Sequence, residues 1–272
     1  MRVMKINFNE IKCNKNPTFF YLLLLISVVN SNLLFSSSIS GSDSKFEPRT
    51  IVDMPTAGVL SKGHYSINGN TFPNGGVSLN FTAGIFTNFN LGLSFAANNI
   101  ISNDNLESQN LPGINLSYRI IDEKKEFPAI TLGVNTQGKS RYLTDNKRFE
   151  TLSPGLYLAV SKNFNSFIGN NSVHFGINYS FEPVPTKRNI NSYFGFEQTL
   201  GSSLSINLEY NLLLNEYDNL IYKNGRGLLN SSIKYSFDNN LSVELQFRDL
   251  LKSNAQNMGI NRIFAFEYIS KF

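Results

Sequence analysis

Between Val173 and Glu182 the chain alternates without a break: Val173, Phe175, Ile177, Tyr179 and Phe181 take one parity, His174, Gly176, Asn178, Ser180 and Glu182 the other. A period of two marks an extended strand with two chemically distinct faces. The same reading sets Leu204, Ile206, Leu208, Tyr210 and Leu212 against Ser205, Asn207, Glu209 and Asn211, and sets Leu241, Val243, Leu245 and Phe247 against Ser242, Glu244, Gln246 and Arg248. Earlier, Val77, Leu79 and Phe81 oppose Ser78, Asn80 and Thr82, while Ile114, Leu116, Tyr118 and Ile120 oppose Asn115, Ser117 and Arg119. Collected along the chain, the pattern predicts about 12 strands, within a range of roughly 10 to 14, of the length expected for membrane-crossing strands. They fall near residues 62–72, 76–87, 89–101, 113–122, 127–139, 153–164, 172–182, 191–200, 203–215, 226–237, 241–251 and 259–272. No amphipathic helical pattern competes, so the predicted class is all-β.

The connections alternate in length. Short ones at Thr87-Asn88, Asp122 to Glu126, Gly201-Ser202 and Phe237 to Asn240 separate longer polar ones at Asn103 to Pro112, Lys139 to Ser153, Pro183 to Asn189 and Asn215 to Arg226. Short turns on one rim and long loops on the other are the layout of an up-and-down membrane barrel. Two connections fit less well: Phe164 to Ser172 reads as too long for a turn, and Pro73-Asn74-Gly75 as too short for a loop.

Alternation alone does not choose between a sheet packed on a second sheet and a barrel facing lipid. Composition does. Charged residues make up only 16% of the chain, and the 23 Phe and 12 Tyr stand beside no Trp. The polar parity is rich in Gly, Ser, Asn and Thr rather than the lysine and glutamate that coat a soluble sandwich, which suits a narrow hydrated lumen. In lipid every backbone N–H and C=O must be paired, and a closed antiparallel barrel achieves this. The expected fold is therefore a transmembrane up-and-down β-barrel over residues 62–272, with Phe89, Phe127, Phe164, Tyr193, Tyr235, Phe237 and Phe272 as interfacial aromatics. A secreted β-sandwich is the alternative. Lumen-facing charges are expected at Arg119, Glu182, Glu197, Glu209, Lys234, Glu244, Arg248 and Glu267, with Lys234 opposite Glu244 across the turn at residues 238–240. They read either as a constriction that selects solutes or as a structural network that neutralises buried charge.

The basic stretch with Arg2, Lys5, Lys12 and Lys15, the apolar run Phe19 to Val29 and the small residues Ser36 to Ser42 predict a secretory signal peptide over residues 1–40, cleaved between about 31 and 40. An uncleaved anchor would need the run extended to Phe35, across polar Asn30, Ser31 and Asn32. The single cysteine, Cys13, lies in that leader, and the leader's charges account for much of the net +4, so nucleic acid is not the expected partner. Residues 41–61, with Pro48, Pro55 and Gly58, read as a periplasmic tether, a short extra strand or a plug entering the lumen. The aromatic parity Phe264, Phe266, Tyr268 and Phe272 at the end of the chain resembles the C-terminal strand by which the barrel-assembly machinery recognises and inserts outer-membrane proteins.

The stretches TIVDMPTAGVLSKGHYSI, FPNGGVSLNFTAGIFTNFNLGLSFAANNII, FPAITLGVNTQG, SPGLYLAVSKNF and GRGLLNSSIKYSFDNNLSVELQFRDLL resemble a group of bacterial outer-membrane β-barrel proteins of the YjbH-like kind. The resemblance implies the outer membrane as location, outer-membrane lipids and the assembly machinery as partners, and a link to periplasmic or polysaccharide-export partners in exopolysaccharide production. It supplies no catalytic or ligand residues. Enzymatic chemistry has little to draw on: only His64 and His174 are present, and no GxSxG, HExxH or cysteine cluster appears. No cofactor or metal is expected. The expected function is a passive channel or envelope-transport component, with a non-conducting accessory barrel as the rival and an outer-membrane enzyme as a weaker one.

Overall fold

The computed structural model describes residues 47–73, 75–100, 105–109, 111–166, 169–184, 189–216, 221–222, 226–237, 240–255 and 259–272. The signal peptide expected over residues 1–40, with Cys13, lies outside the described residues, as do residues 41–46.

Among the described residues fifteen strands form in chain order: β1 His64–Phe72, β2 Gly76–Phe86, β3 Phe89–Asn98, β4 Glu107–Ser108, β5 Gly113–Ile121, β6 Ala129–Asn135, β7 Tyr142–Leu143, β8 Arg148–Phe149, β9 Gly155–Ser166, β10 Gly169–Tyr179, β11 Asn191–Leu200, β12 Leu204–Asn211, β13 Leu228–Ser236, β14 Leu241–Arg248 and β15 Asn261–Lys271. The main sheet has 13 strands, of which two-residue β4 is an appendage on β3 and the other 12 close into an antiparallel ring. The closing seam runs from His64 opposite Lys271 to Asn70 opposite Ala265. Closure leaves no edge with unpaired backbone, the condition that a membrane imposes.

The two faces are inverted relative to a soluble protein. Leu79, Phe81, Leu93, Phe95 and Phe194 point outward with about half of their surface bare, 48% to 56%. Thr131, Glu209, Asn230 and Ser232 point inward and are 0% to 1% exposed. Leucine and phenylalanine turned out over the whole ring, with amides, hydroxyls and charges turned in, is the arrangement of a transmembrane barrel, where lipid covers the apolar face. Tyr193 departs from its expected place in an interfacial girdle. It shares the inward parity of Glu197, is fully buried, and stacks its ring on Gly176 of the neighbouring strand, where a side chain would collide with it. Tyr157 covers Gly133 in the same way.

One rim carries tight turns, including Thr87-Asn88, where Asn88 adopts φ 63°, a conformation asparagine tolerates, and the Gly201 turn, φ 64°. The connection between β9 and β10 is also short. The ladder continues to Ser166 and resumes at Gly169, because Asn165, Asn170 and Asn171, residues that read as a loop, pair as wall residues. The opposite rim carries the long connections of residues 99–112, 136–154, 180–190, 212–227 and 249–260, together with the tight turn after Phe72. Over that rim β7 and β8 form a small hairpin. Its Tyr142 and Phe149 pack with Phe72, Ala96 and Ile263, while Leu143 packs with Ile221, Tyr222 and Leu228.

Candidate functional site

The lumen is occupied by the chain's own residues 47–60. The segment doubles back as a hairpin: Thr50 bridges Pro55, Ile51 N donates to Met54 O (2.9 Å), and Thr56 N donates to Arg49 O (3.0 Å). Its tip, Val52-Asp53, points toward the loop rim, and it leaves at the turn rim, where Leu60 N donates to Asn90 Oδ1 (3.1 Å) ahead of β1.

Glu209 holds the tip. One carboxylate oxygen accepts three consecutive backbone N–H groups, from Val52 (3.0 Å), Asp53 (2.8 Å) and Met54 (2.8 Å), and the other accepts from Asn230 Nδ2 (2.9 Å). A turn that aims successive N–H groups at one point is an anion cradle, here filled by a wall residue. Ile51, Val52 and Met54 complete the grip by packing on Tyr193, whose hydroxyl donates to Pro55 O (2.8 Å), while Ile51 fills the space above Gly195.

Ion pairs extend the hold round the ring with matched signs. Glu47 pairs with Arg119, Arg49 with Glu267, and Asp53 with Arg248 (2.7 Å). Arg119 Nε and Thr131 Oγ1 both donate to Ala57 O (3.0 and 2.8 Å), and Ala57 N donates to Ser161 Oγ (2.9 Å). Ser161 Oγ in turn lies 2.8 Å from His174 Nδ1. This serine–histidine contact is engaged with the hairpin backbone, and among the described residues no carboxylate bonds the histidine.

Of the charges expected in the lumen, Arg119, Glu209, Arg248 and Glu267 meet the hairpin directly. Lys234 and Glu244 are register partners, yet the Lys234 ammonium bonds Glu267 (3.2 Å) and Glu244 accepts from Gln246 (3.0 Å). Glu197 is inward and 3% exposed. Glu182 sits elsewhere than expected: β10 ends at Tyr179, and the Glu182 carboxylate accepts Phe149 N (2.7 Å) and Ser153 N (2.8 Å), fastening the 136–154 loop instead of lining the wall. Phe264, Phe266, Tyr268 and Phe272 share the outward face, with Phe266 lying over Gly69 of β1.

Above the hairpin tip, under the loops, is a cavity of about 590 Å³. Asp53, Lys139 and Arg248 form its floor. Lys139 Nζ donates to Val52 O (2.7 Å) and Thr50 Oγ1 (3.3 Å), and Arg248 also donates to Gln246 Oε1 (2.8 Å). Burial pulls the Lys139 ammonium below the usual lysine range; Asp53 opposes that shift and Arg248 adds to it. The roof is cross-braced by the Arg148–Glu216 ion pair, by Thr151 and Tyr222 hydroxyls 2.6 Å apart, and by Ala255 N donating to Ile221 O (2.7 Å). The hairpin, Arg141 and the roof residues carry no period-two signal, so strand patterning did not single them out, and Lys139, expected at the end of a strand over 127–139, lies beyond β6.

No protein-family model matches the chain, and no curated protein matches it. Among solved structures, the NanC porin is similar at 7% identity and a TM-score of 0.41, over 76% of this chain and 99% of that one. A chain from a study of the in-meso crystallisation of membrane proteins is similar at 10% identity and a TM-score of 0.38, over 77% of this chain and 84% of that one.

Proposed function

We propose that this protein is an outer-membrane barrel of the bacterial envelope whose passage is stopped by the 47–60 hairpin, so that it acts in envelope transport as a gated and not a permanently open channel. The observation that carries this reading is the clasp of Val52, Asp53 and Met54 N–H groups on Glu209, deep in the ring. A buried carboxylate with four charge-assisted hydrogen bonds is a specific lock, each bond worth about 1.5–3 kcal/mol. The hairpin's Glu47, Arg49 and Asp53 meet Arg119, Glu267 and Arg248, so the segment and the lumen are complementary in charge as well as shape. The short-turn rim faces the periplasm in barrels of this type. Glu47, on Arg119, enters from that side, where periplasmic or polysaccharide-export partners of the kind implied by the YjbH-like resemblance would reach it.

Conductance in a planar bilayer tests the proposal. The mature protein, folded as judged by its heat-dependent gel shift, is expected to be nearly silent, and a variant lacking residues 41–57 is expected to give sustained, discrete steps. Steady conductance by the intact protein at the level of the deletion variant sinks the gating role. A folded but silent deletion variant moves the assignment to a non-conducting accessory barrel, closed by the braced roof at Arg148, Glu216 and Tyr222.

A further inference from the structure

The adjacent strands β13, β14 and β15 meet the loop rim in a stretch whose exposed charges are of one sign. Over residues 221–230 and 247–262 the only carboxylate in the sequence is Asp249. It is buried and accepts from Ser253 N (2.6 Å) and Asn254 N (2.8 Å), so it is engaged in building the turn after β14. Arg248 is turned inward on Asp53. The other described cations of this stretch, Arg226, Lys252 and Arg262, are exposed, and their side chains have no ion-pair or hydrogen-bond partner among the described residues. Backbone contacts hold them on one arc. Ser253 Oγ donates to Gly227 O (2.6 Å), which ties the segment of Lys252 to that of Arg226, and Tyr210, outward on β12, donates its hydroxyl to Arg226 O (2.9 Å). Arg262 lies opposite Phe247 in the β14–β15 ladder, on the outward parity of Phe264. With neighbouring strands roughly 4.8 Å apart, the arc from β13 to β15 is about 10 Å wide.

The place of Arg262 in the wall is telling. Among the described residues the twelve wall strands turn only two charged side chains outward, Lys162 and Arg262. Lys162, toward the turn rim, pairs with Glu123 (3.3 Å). Arg262 stands at the loop rim, two residues beyond Phe264, and residues 65–86, which cover the neighbouring β1 and β2, carry no charge to meet it. A cation at the level where the apolar band gives way to headgroups costs little in itself and gains from an anionic headgroup.

We propose that this arc binds the phosphate of an anionic lipid headgroup in the leaflet at the loop rim, with Arg226, Lys252 and Arg262 as its cations and the exposed Leu251, Ile260 and Phe264 as apolar surface beside them. The assignment rests on the membrane-spanning barrel and is independent of the hairpin, so a failure of gating leaves it standing.

The test is native mass spectrometry of the mature protein, reconstituted in nanodiscs of equal parts phosphatidic acid and phosphatidylcholine and released into detergent, with the retained lipids counted by class. The intact protein is expected to retain phosphatidic acid over phosphatidylcholine. The triple variant Arg226→Gln, Lys252→Gln, Arg262→Gln is expected to lose that preference, by roughly fivefold for each cation removed. The variant Lys62→Gln, Lys124→Gln, Lys125→Gln removes the same charge from the turn rim, where Asp122, Glu123 and Glu126 stand among the lysines, and is expected to keep the preference. Should the loop-rim triple variant fail to give the heat-dependent gel shift, Arg262→Gln alone is expected to lower the preference roughly fivefold. No preference in the intact protein, an unchanged preference in the folded loop-rim variant, or an equal loss in the turn-rim variant overturns the proposal.

Discussion

Glu209 is the residue on which the interior turns. Its side chain has 0% exposure, and its neighbours along β12, Leu208 and Tyr210, face the opposite way. Taking the carboxylate away leaves three buried N–H groups without an acceptor, at about 1–3 kcal/mol each, a cost that withdrawal of the hairpin tip relieves without unfolding the wall. Glu209→Ala is therefore expected to expose the tip in a barrel that still folds. In a Cys13→Ser background carrying Met54→Cys, labelling of the new thiol by a water-soluble maleimide should quicken by an order of magnitude or more, roughly in line with one unsatisfied group. Glu209→Gln, which keeps the shape but sets its amide against the Asn230 donor, should fall between. Labelling no faster than in the parent would mean that the clasp does not hold the tip.

At the scale of the strand, adjacent residues live in different solvents. Leu208 is 40% exposed on the outer face, one residue away from the fully buried Glu209. If that face meets lipid near mid-depth, Leu208→Arg should lower folding stability in bilayers by roughly 2–4 kcal/mol, measured by urea titration in lipid vesicles. An unchanged midpoint would place lipid elsewhere. Strand positions were legible in the sequence because this two-solvent alternation recurs. β2, expected over 76–87, forms over 76–86, and β11 forms over the expected 191–200. The alternation failed where both parities are polar. The stretch Phe164 to Ser172, with Asn165, Asn170 and Asn171, looked like a loop, yet an inward asparagine in a hydrated lumen is an ordinary wall residue, so β9 and β10 run on toward each other. β10 starts earlier than expected for the same reason, and it ends at Tyr179 despite continued alternation to Glu182, which puts Glu182 beyond the wall.

For the whole molecule, the ring closes between β1 and β15, and at Phe272 the backbone and the side chain are engaged differently. Phe272 N donates to Gly63 O (3.0 Å), while the Phe272 ring is 76% exposed and contributes little to packing. If assembly machinery captures the chain through the aromatic parity of β15, Phe272→Ser is expected to refold in vitro with unchanged stability, yet to give less heat-modifiable barrel in cells. Equal cellular yield would remove Phe272 from the recognition role.

The sequence by itself determined the class, and it determined strand positions and faces wherever an apolar parity opposes a polar one, because these follow from local period two and from the demand that backbone in lipid be paired. It also marked Arg119, Glu209, Arg248 and Glu267 as inward. What those charges meet was decided only by the tertiary structure. Glu209 and the N–H groups it clasps lie 155 to 157 residues apart, and the hairpin's own residues carry no periodic trace of a partner, since an irregular segment inside a polar lumen is held by hydrogen bonds and ion pairs from the surrounding wall. Local pattern fixes which way a side chain points. Only closure of the ring decides what stands opposite it, and here that is the chain's own residues 47–60.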